Sequence, residues 1–213
     1  MAADYELTTF VHKTTIMSIF ILLLQKTSSV KNLWILFITS HLILLSMILF
    51  TFPIINNQIG TEAFDLQPLG YSIELAKSIV NNLNESSTHI YLFPQLTFLD
   101  LLYPALLALF LSSLIFRLLK SVGTMGKILL LVPFIAMTFD YFENICVVLM
   151  ITHTIEISEW LVLTSSTFTI LKGVLTTVAW ITILVLSIKW ILYRVKLNKT
   201  TSKKLSINEP REL

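Results

Sequence analysis

Four apolar runs, each as long as a bilayer's hydrocarbon core requires, leave this chain few ways to fold. They cover residues 33–54, 96–119, 128–151 and 166–192, and about 20 helical residues suffice to cross the core. No water satisfies backbone N–H and C=O groups in hydrocarbon, so such segments must close their hydrogen bonds internally, as helix. Of 213 residues 55% are hydrophobic and 13% charged, too little polar surface to coat a soluble domain. The expected fold is all-α: a polytopic membrane protein built as a four-helix transmembrane bundle. A fifth apolar run, residues 14–24, is about half the needed length and is closed by Gln25 and Lys26. It reads as part of an interfacial or disordered leader, residues 1–32. Asp4 and Glu6 spoil the basic n-region that a signal peptide would carry.

Charge placement orients the bundle. Lys13, Lys26 and Lys31 precede the first run; Arg117, Lys120 and Lys127 fill the link between the second and third. Lys189, Arg194, Lys196, Lys199, Lys203, Lys204 and Arg211 lie at or beyond the end of the fourth. The other two loops hold Glu62, Asp65, Glu74, Glu85, Glu156 and Glu159 against one base, Lys77. Both termini are therefore expected in the cytoplasm of a cell-membrane protein. Trp34, Trp190 and Tyr193 then mark the inner boundary, and Tyr91 and Trp160 the outer. The tail, residues 194–213, is expected to be polar and disordered from Lys196, its lysines drawn to anionic lipid. In the long outer loop the spacing of Ile73, Ala76, Ile79, Val80 and Leu83 predicts an amphipathic helix over residues 72–83. Ser72 would be its N-cap and Glu74 the acid of its first turn.

Within the spans the informative residues are polar. Asp140, Glu143 and Asn144 interrupt the third run at spacings of three and four, hence on one helix face. Ionised carboxylates in hydrocarbon cost roughly 2.5–3.5 kcal/mol each on insertion scales, so they call for a partner or a task. Depth follows from the 1.5 Å rise per residue, counted from the outer end of each run. Asp100 lies about 6 Å down, Asn144 about 10 Å, Glu143 about 12 Å, Asp140 about 16 Å, Lys172 about 8–9 Å and His41 about 18 Å. Tyr103 and Pro104 share a stripe with Asp100. Lys172 is the only base within the apolar part of any span, and it is expected to pair with Asp100 or Glu143. His41, level with Asp140, is expected to bond it. The site predicted is a polar pocket of Asp100, Tyr103, Asp140, Glu143, Asn144 and Lys172, with His41 at its floor.

Several chemistries are excluded or unsupported. The single cysteine, Cys146, rules out an intrachain disulfide, a thiol-pair redox centre and a cysteine-based zinc site. It reads as a small buried apolar residue. No HExxH, GxSxG or histidine-box pattern occurs, and no basic face interleaved with aromatics suits nucleic acid. No cofactor and no metal are expected. Three classes stay open. The first is a non-enzymatic structural, accessory or ligand-binding protein. The second is a proton- or cation-coupled small transporter subunit, which a homo-oligomer could complete. The third is a membrane enzyme acting on lipid or isoprenoid.

Three stretches, FDLQPLGYS at residues 64–72, YLFPQLTFLDLLYP at 91–104 and VPFIAMTFDYFENI at 132–145, together resemble a group of small four-span membrane proteins, mostly bacterial. The likeness covers roughly residues 31–193. That group has no established activity, so the resemblance implies no catalytic role. It does imply that Asp100, Tyr103, Pro104, Asp140, Glu143 and Asn144 occupy signature positions, with Gly70-Tyr71-Ser72 leading into the loop helix as part of the same pattern.

Overall fold

The structure, a computed structural model, describes residues 17–119 and 121–208, with side chains up to residue 196. All regular structure among the described residues is helical. Four helices are long and apolar enough to cross a membrane: Val30–Ile59, Glu85–Leu118, Thr124–Ile151 and Glu159–Lys196. The first comprises α2 (Val30–Ser46), a π turn (Met47–Thr51) and α3 (Phe52–Ile59). The second comprises α5 (Glu85–Ile90), a π segment (Tyr91–Leu99) and α6 (Asp100–Leu118). The third is α7 (Thr124–Ile151), and the fourth forms part of α8 (Glu159–Asn208). Between the first two lie a 3₁₀ turn (Phe64–Leu66) and α4 (Ile73–Asn82).

The irregular turns have local causes. Pro53, in the first turn of α3, has no N–H to return to the preceding turn, and the helix widens into the π turn just before it. Thr51 Oγ1 donates back to the Met47 carbonyl at 3.1 Å. The second long helix breaks at Phe93, whose φ of −146° and ψ of 123° are extended, next to a cis bond to Pro94.

The second and third long helices form the centre: 50% and 44% of their most apolar windows are buried, against 17% and 11% for the first and fourth. Helix α7 packs most extensively on α8 and then on α6, while α2 packs on α6. One apolar core, with Leu107, Leu111, Ile115 and Leu130, fills the end of the bundle near the α6–α7 link. The other, with Phe64, Tyr71, Ile79, Tyr91 and Met150, joins the opposite helix ends to the segment between α3 and α5. Helix α4 buries Ala76, Ile79 and Val80 and contacts α3 and α8. Ser72 caps it by accepting from the Leu75 N–H at 3.3 Å. The Ser72 hydroxyl also holds exposed Glu74 below the usual carboxylate range, so the first turn keeps its negative charge.

Helix ends follow caps rather than hydropathy. The first long helix continues past residue 54 through Asn56, Asn57 and Gln58 to Ile59. It stops at Gly60, whose φ of 74° suits glycine and whose N–H reaches Asn56 O at 2.9 Å. The fourth begins at Glu159, not 166, and its backbone stays helical to Asn208. The tail expected to be disordered from Lys196 is therefore helix over residues 196–208. The leader also differs from expectation. Its described part is α1 (Met17–Thr27), which packs into the bundle: Leu24 is fully buried, Phe20 meets Phe134 edge-on at 5.4 Å, and Thr27 and Ser113 hydroxyls lie 2.5 Å apart. Lys13, Lys120 and Arg211 lie outside the described residues, as do the side chains of Lys199, Lys203 and Lys204 and any lipid contact they make.

Candidate functional site

Helices α7 and α8, joined by a short link, run antiparallel, and their polar residues meet rung by rung. Glu143 Oε1 accepts from Thr169 Oγ1 at 2.8 Å. One turn along, Lys172 Nζ lies 2.5 Å from Asp140 Oδ1 and 2.7 Å from Glu143 Oε2. Both acids sit three apart on α7, as do Thr169 and Lys172 on α8, so the pairing follows from the helical period and the register. Both acids are buried: Glu143 wholly, and Asp140 with 8% exposed.

Asp100 opens α6 and is 4% exposed. It has no ammonium of its own. The Asn144 side chain lies within hydrogen-bond reach of its carboxylate, but Asp100 Oδ2, Asp140 Oδ2 and Asn144 Oδ1 have no hydrogen-bond partner. Pro104 follows four residues on and takes away the N–H that would serve the Asp100 carbonyl, adding a further acceptor at this level. Tyr103 stands nearby, while Tyr141 ties α7 to α6 through a 2.8 Å bond to Leu101 O.

Asp100, Tyr103, Asp140 and Lys172 face a cavity of about 320 Å³ walled by all four long helices, whereas Glu143 and Asn144, expected in the same pocket, are buried outside its lining. From α6 come Asp100, Tyr103, Pro104, Leu107, Ala108 and Leu111; from α7, Pro133, Ala136, Met137 and Asp140. Helix α8 gives Lys172, Gly173 and Thr176, and the first long helix gives Leu44, Met47 and Phe52. From Asp100 to Leu111 the α6 stripe runs about 16 Å. The cavity is thus elongated, acidic at one end and apolar along the rest.

No protein-family model, no curated protein and no solved structure matches the chain. The chemistry of the cavity has to be read from its own residues.

One of those residues escaped the sequence reading. Asp65, counted above only as a loop charge, folds back on the 3₁₀ turn and lines the cavity with Leu66. Tyr91, fully buried, fixes it: the hydroxyl donates to Asp65 Oδ2 at 2.8 Å and accepts from the Phe64 N–H at 2.9 Å. The next turn docks on α8, where Tyr71 N–H donates to Ser166 Oγ at 2.9 Å and Tyr71 OH to Ser165 Oγ at 2.6 Å. Gly70 makes this possible, since its φ is 84° and a Cβ there would strike Ser166 Oγ. Burial pushes the Tyr71 hydroxyl well above its usual range, against which the bond to Ser165 is the smaller effect, so Tyr71 is a neutral structural donor. The FDLQPLGYS stretch contained the signal, but periodicity cannot show a loop turning inward. Buried Gln95, bonded to Thr51 Oγ1 across the first two long helices, was missed for the same reason.

His41 is not at the floor of the pocket and does not bond Asp140. Its Nδ1–H donates to Phe37 O at 2.8 Å, and its ring lies 4.1 Å from the Phe37 ring. The cause is lateral: α2 packs on α6 rather than α7. Lys172 meets Glu143, one of its two expected partners, and takes Asp140 rather than Asp100 as its second. Tyr103 lines the cavity without a hydrogen bond to either aspartate.

Proposed function

We propose that this is a multi-pass membrane protein, both ends cytoplasmic, whose carboxylate-lined cavity holds a non-reacting ligand with an ammonium-type head and a slim apolar body. The observation that carries the reading is the pair of buried carboxylate oxygens without a hydrogen-bond partner, Asp100 Oδ2 and Asp140 Oδ2, on the wall of a cleft lined mainly by apolar side chains. Buried acceptors without donors are costly, which favours an occupant that brings several N–H groups. Charge agrees. Asp65, Asp100, Asp140 and Glu143 against Lys172 are four carboxylates and one ammonium, a formal −3 that low dielectric does not tolerate uncompensated. The loop residues Asp65 and Leu66 would cover the head group, and the Leu107–Leu111 stripe would hold the body.

The test is ligand binding by the purified protein in lipid nanodiscs. n-Decylammonium should bind and protect against heat, while decanoate should not. Asp100→Asn should weaken the amine by roughly thirty-fold, the loss of one charge-assisted hydrogen bond of about 2 kcal/mol. Equal binding of amine and carboxylate, or unchanged affinity in Asp100→Asn, refutes the reading.

Proton or cation coupling is the second reading, favoured by the same excess of negative charge. Against it, the cavity beyond Asp140 is walled by Leu44, Leu107, Ala108 and Leu111, which offer no titratable group to continue a path. Dissipation of a pH gradient by the protein in liposomes would reverse this preference. For an enzyme acting on lipid or isoprenoid, the aspartate–histidine pair that would have served as general base is not formed.

A further inference from the structure

The first turns of α2, the last turns of α6 and the Trp190–Arg194 turn of α8 enclose a second groove, of about 660 Å³, at the opposite end of the bundle from Asp100. Its walls include Trp34 and Phe37 from α2, Phe110 from α6 and Trp190 from α8, and its only charged lining residues are Arg117 and Arg194. Arg117 Nη1 donates to Ser28 O at 2.9 Å, which uses one of five guanidinium N–H groups. Arg194 lies over the Trp190 ring, 5.0 Å from its centroid, a contact through its face that leaves its edge free to donate. Among the described residues neither arginine has a carboxylate within ion-pair distance.

Acyl chains would enter any apolar groove that faces lipid. Two guanidiniums converging on one end of it call for more. Their planar forks match phosphate oxygens, and basic sites between membrane helices suit acidic head groups. Tryptophan beside them fits the boundary between head groups and chains. We propose that this groove binds an acidic phospholipid, with the phosphate between Arg117 and Arg194 and an acyl chain along Trp34, Phe37 and Phe110. The site shares with the function proposed above the membrane setting and nothing of the carboxylate cavity.

The experiment is competitive lipid retention by the full-length protein, released from mixed bicelles of phosphatidylglycerol and phosphatidylcholine and read by native mass spectrometry. The wild-type chain should retain phosphatidylglycerol preferentially, a comparison that needs no variant to fold. Arg117→Gln with Arg194→Gln should lower that retention by roughly thirty-fold, two charges at about 1 kcal/mol each. Lys31→Gln with Lys127→Gln, which removes equal charge from the same end outside the groove, should leave it unchanged. Equal retention of both lipids by wild type overturns the proposal. So does an equal loss in the lysine pair, which would mean general surface attraction. Displacement of the lipid by soluble glycerol phosphate would overturn it as well, by making this a site for free phosphate.

Discussion

Replacing Lys172 by methionine separates the two things a membrane-embedded lysine can do. Methionine keeps the length and apolar stem and removes the ammonium. If the ammonium merely reached water along its stem, the change would cost little. In the structure it lies 2.5 Å from Asp140 and 2.7 Å from Glu143, with side-chain exposures of 18% for Lys172, 11% for Asp140 and 1% for Glu143. Removing it strands two carboxylates that have few other donors. Glu143 keeps only the Thr169 hydroxyl, and Asp140 Oδ2 has no partner even before the change. Breaking a buried ion pair from one side costs about 3–5 kcal/mol. For a chain of this size that is a fall in melting temperature of about 6–20 °C. An average polar contact between membrane helices is worth about 0.6 kcal/mol, so the two regimes are well separated. The assay is thermal unfolding in bicelles, run as a cycle with Glu143→Gln and with Asp140→Asn plus Glu143→Gln. Neutral amides remove the stranded charge, so the triple variant should lie within about 1–2 kcal/mol of the parent, well above Lys172→Met alone. A loss under about 1 kcal/mol for Lys172→Met, or a triple variant worse than the single, refutes the buried triad.

Other substitutions probe what surrounds it. Gly70→Ala should cost about 2–4 kcal/mol in the same unfolding assay, because a left-handed φ and a collision with Ser166 act together. Tyr91→Phe frees Asp65 and leaves the Phe64 N–H without its acceptor. It should cost about 1–3 kcal/mol and weaken amine binding, as read by thermal shift with decylammonium. His41→Leu should leave amine affinity within two-fold of wild type, since the imidazole bonds its own helix at Phe37; a larger change would put His41 back in the pocket.

The parts of this architecture set by a short-range rule were readable from residues alone. Asp140 and Glu143 share a face because they are three apart, and a short link makes α7 and α8 antiparallel neighbours, so some contact with Lys172 followed. Glu143, one of the two expected partners, is met at 2.7 Å. Asp140, one turn along the same face of α7, is the second because Lys172 sits between the two carboxylates. His41 fails on two coordinates. The first long helix runs on to Ile59, which puts His41 about 27 Å from that end, and nothing in the chain states that α2 neighbours α6. Asp65 and Gln95 were hidden because they enter from a turn and a kink, where no period exists to assign a face.

The polar groups divide into two sets, and the division decides how the cavity is to be understood. Joining α7 to α8 takes Lys172, Thr169, Glu143 and one oxygen of Asp140, which already form a closed set of contacts. Asp100 adds nothing to that joint: among the described residues it forms no ion pair, and one of its oxygens has no hydrogen-bond partner. Asp65 adds nothing either, yet Tyr91 is buried completely to hold it at the same cavity. A carboxylate within the bilayer costs up to about 3 kcal/mol even on insertion scales, several times the average contact between membrane helices. Helix association therefore accounts for the triad and leaves Asp100 and Asp65 in surplus. A surplus of acceptors at one end of a cleft is offset by what enters the cleft, water, a proton or a donor-rich cation, and of these only the last two also offset the charge. Asp100→Asn distinguishes the two sets directly, since it should leave the bundle at least as stable as wild type while removing the reason for the cleft to be filled.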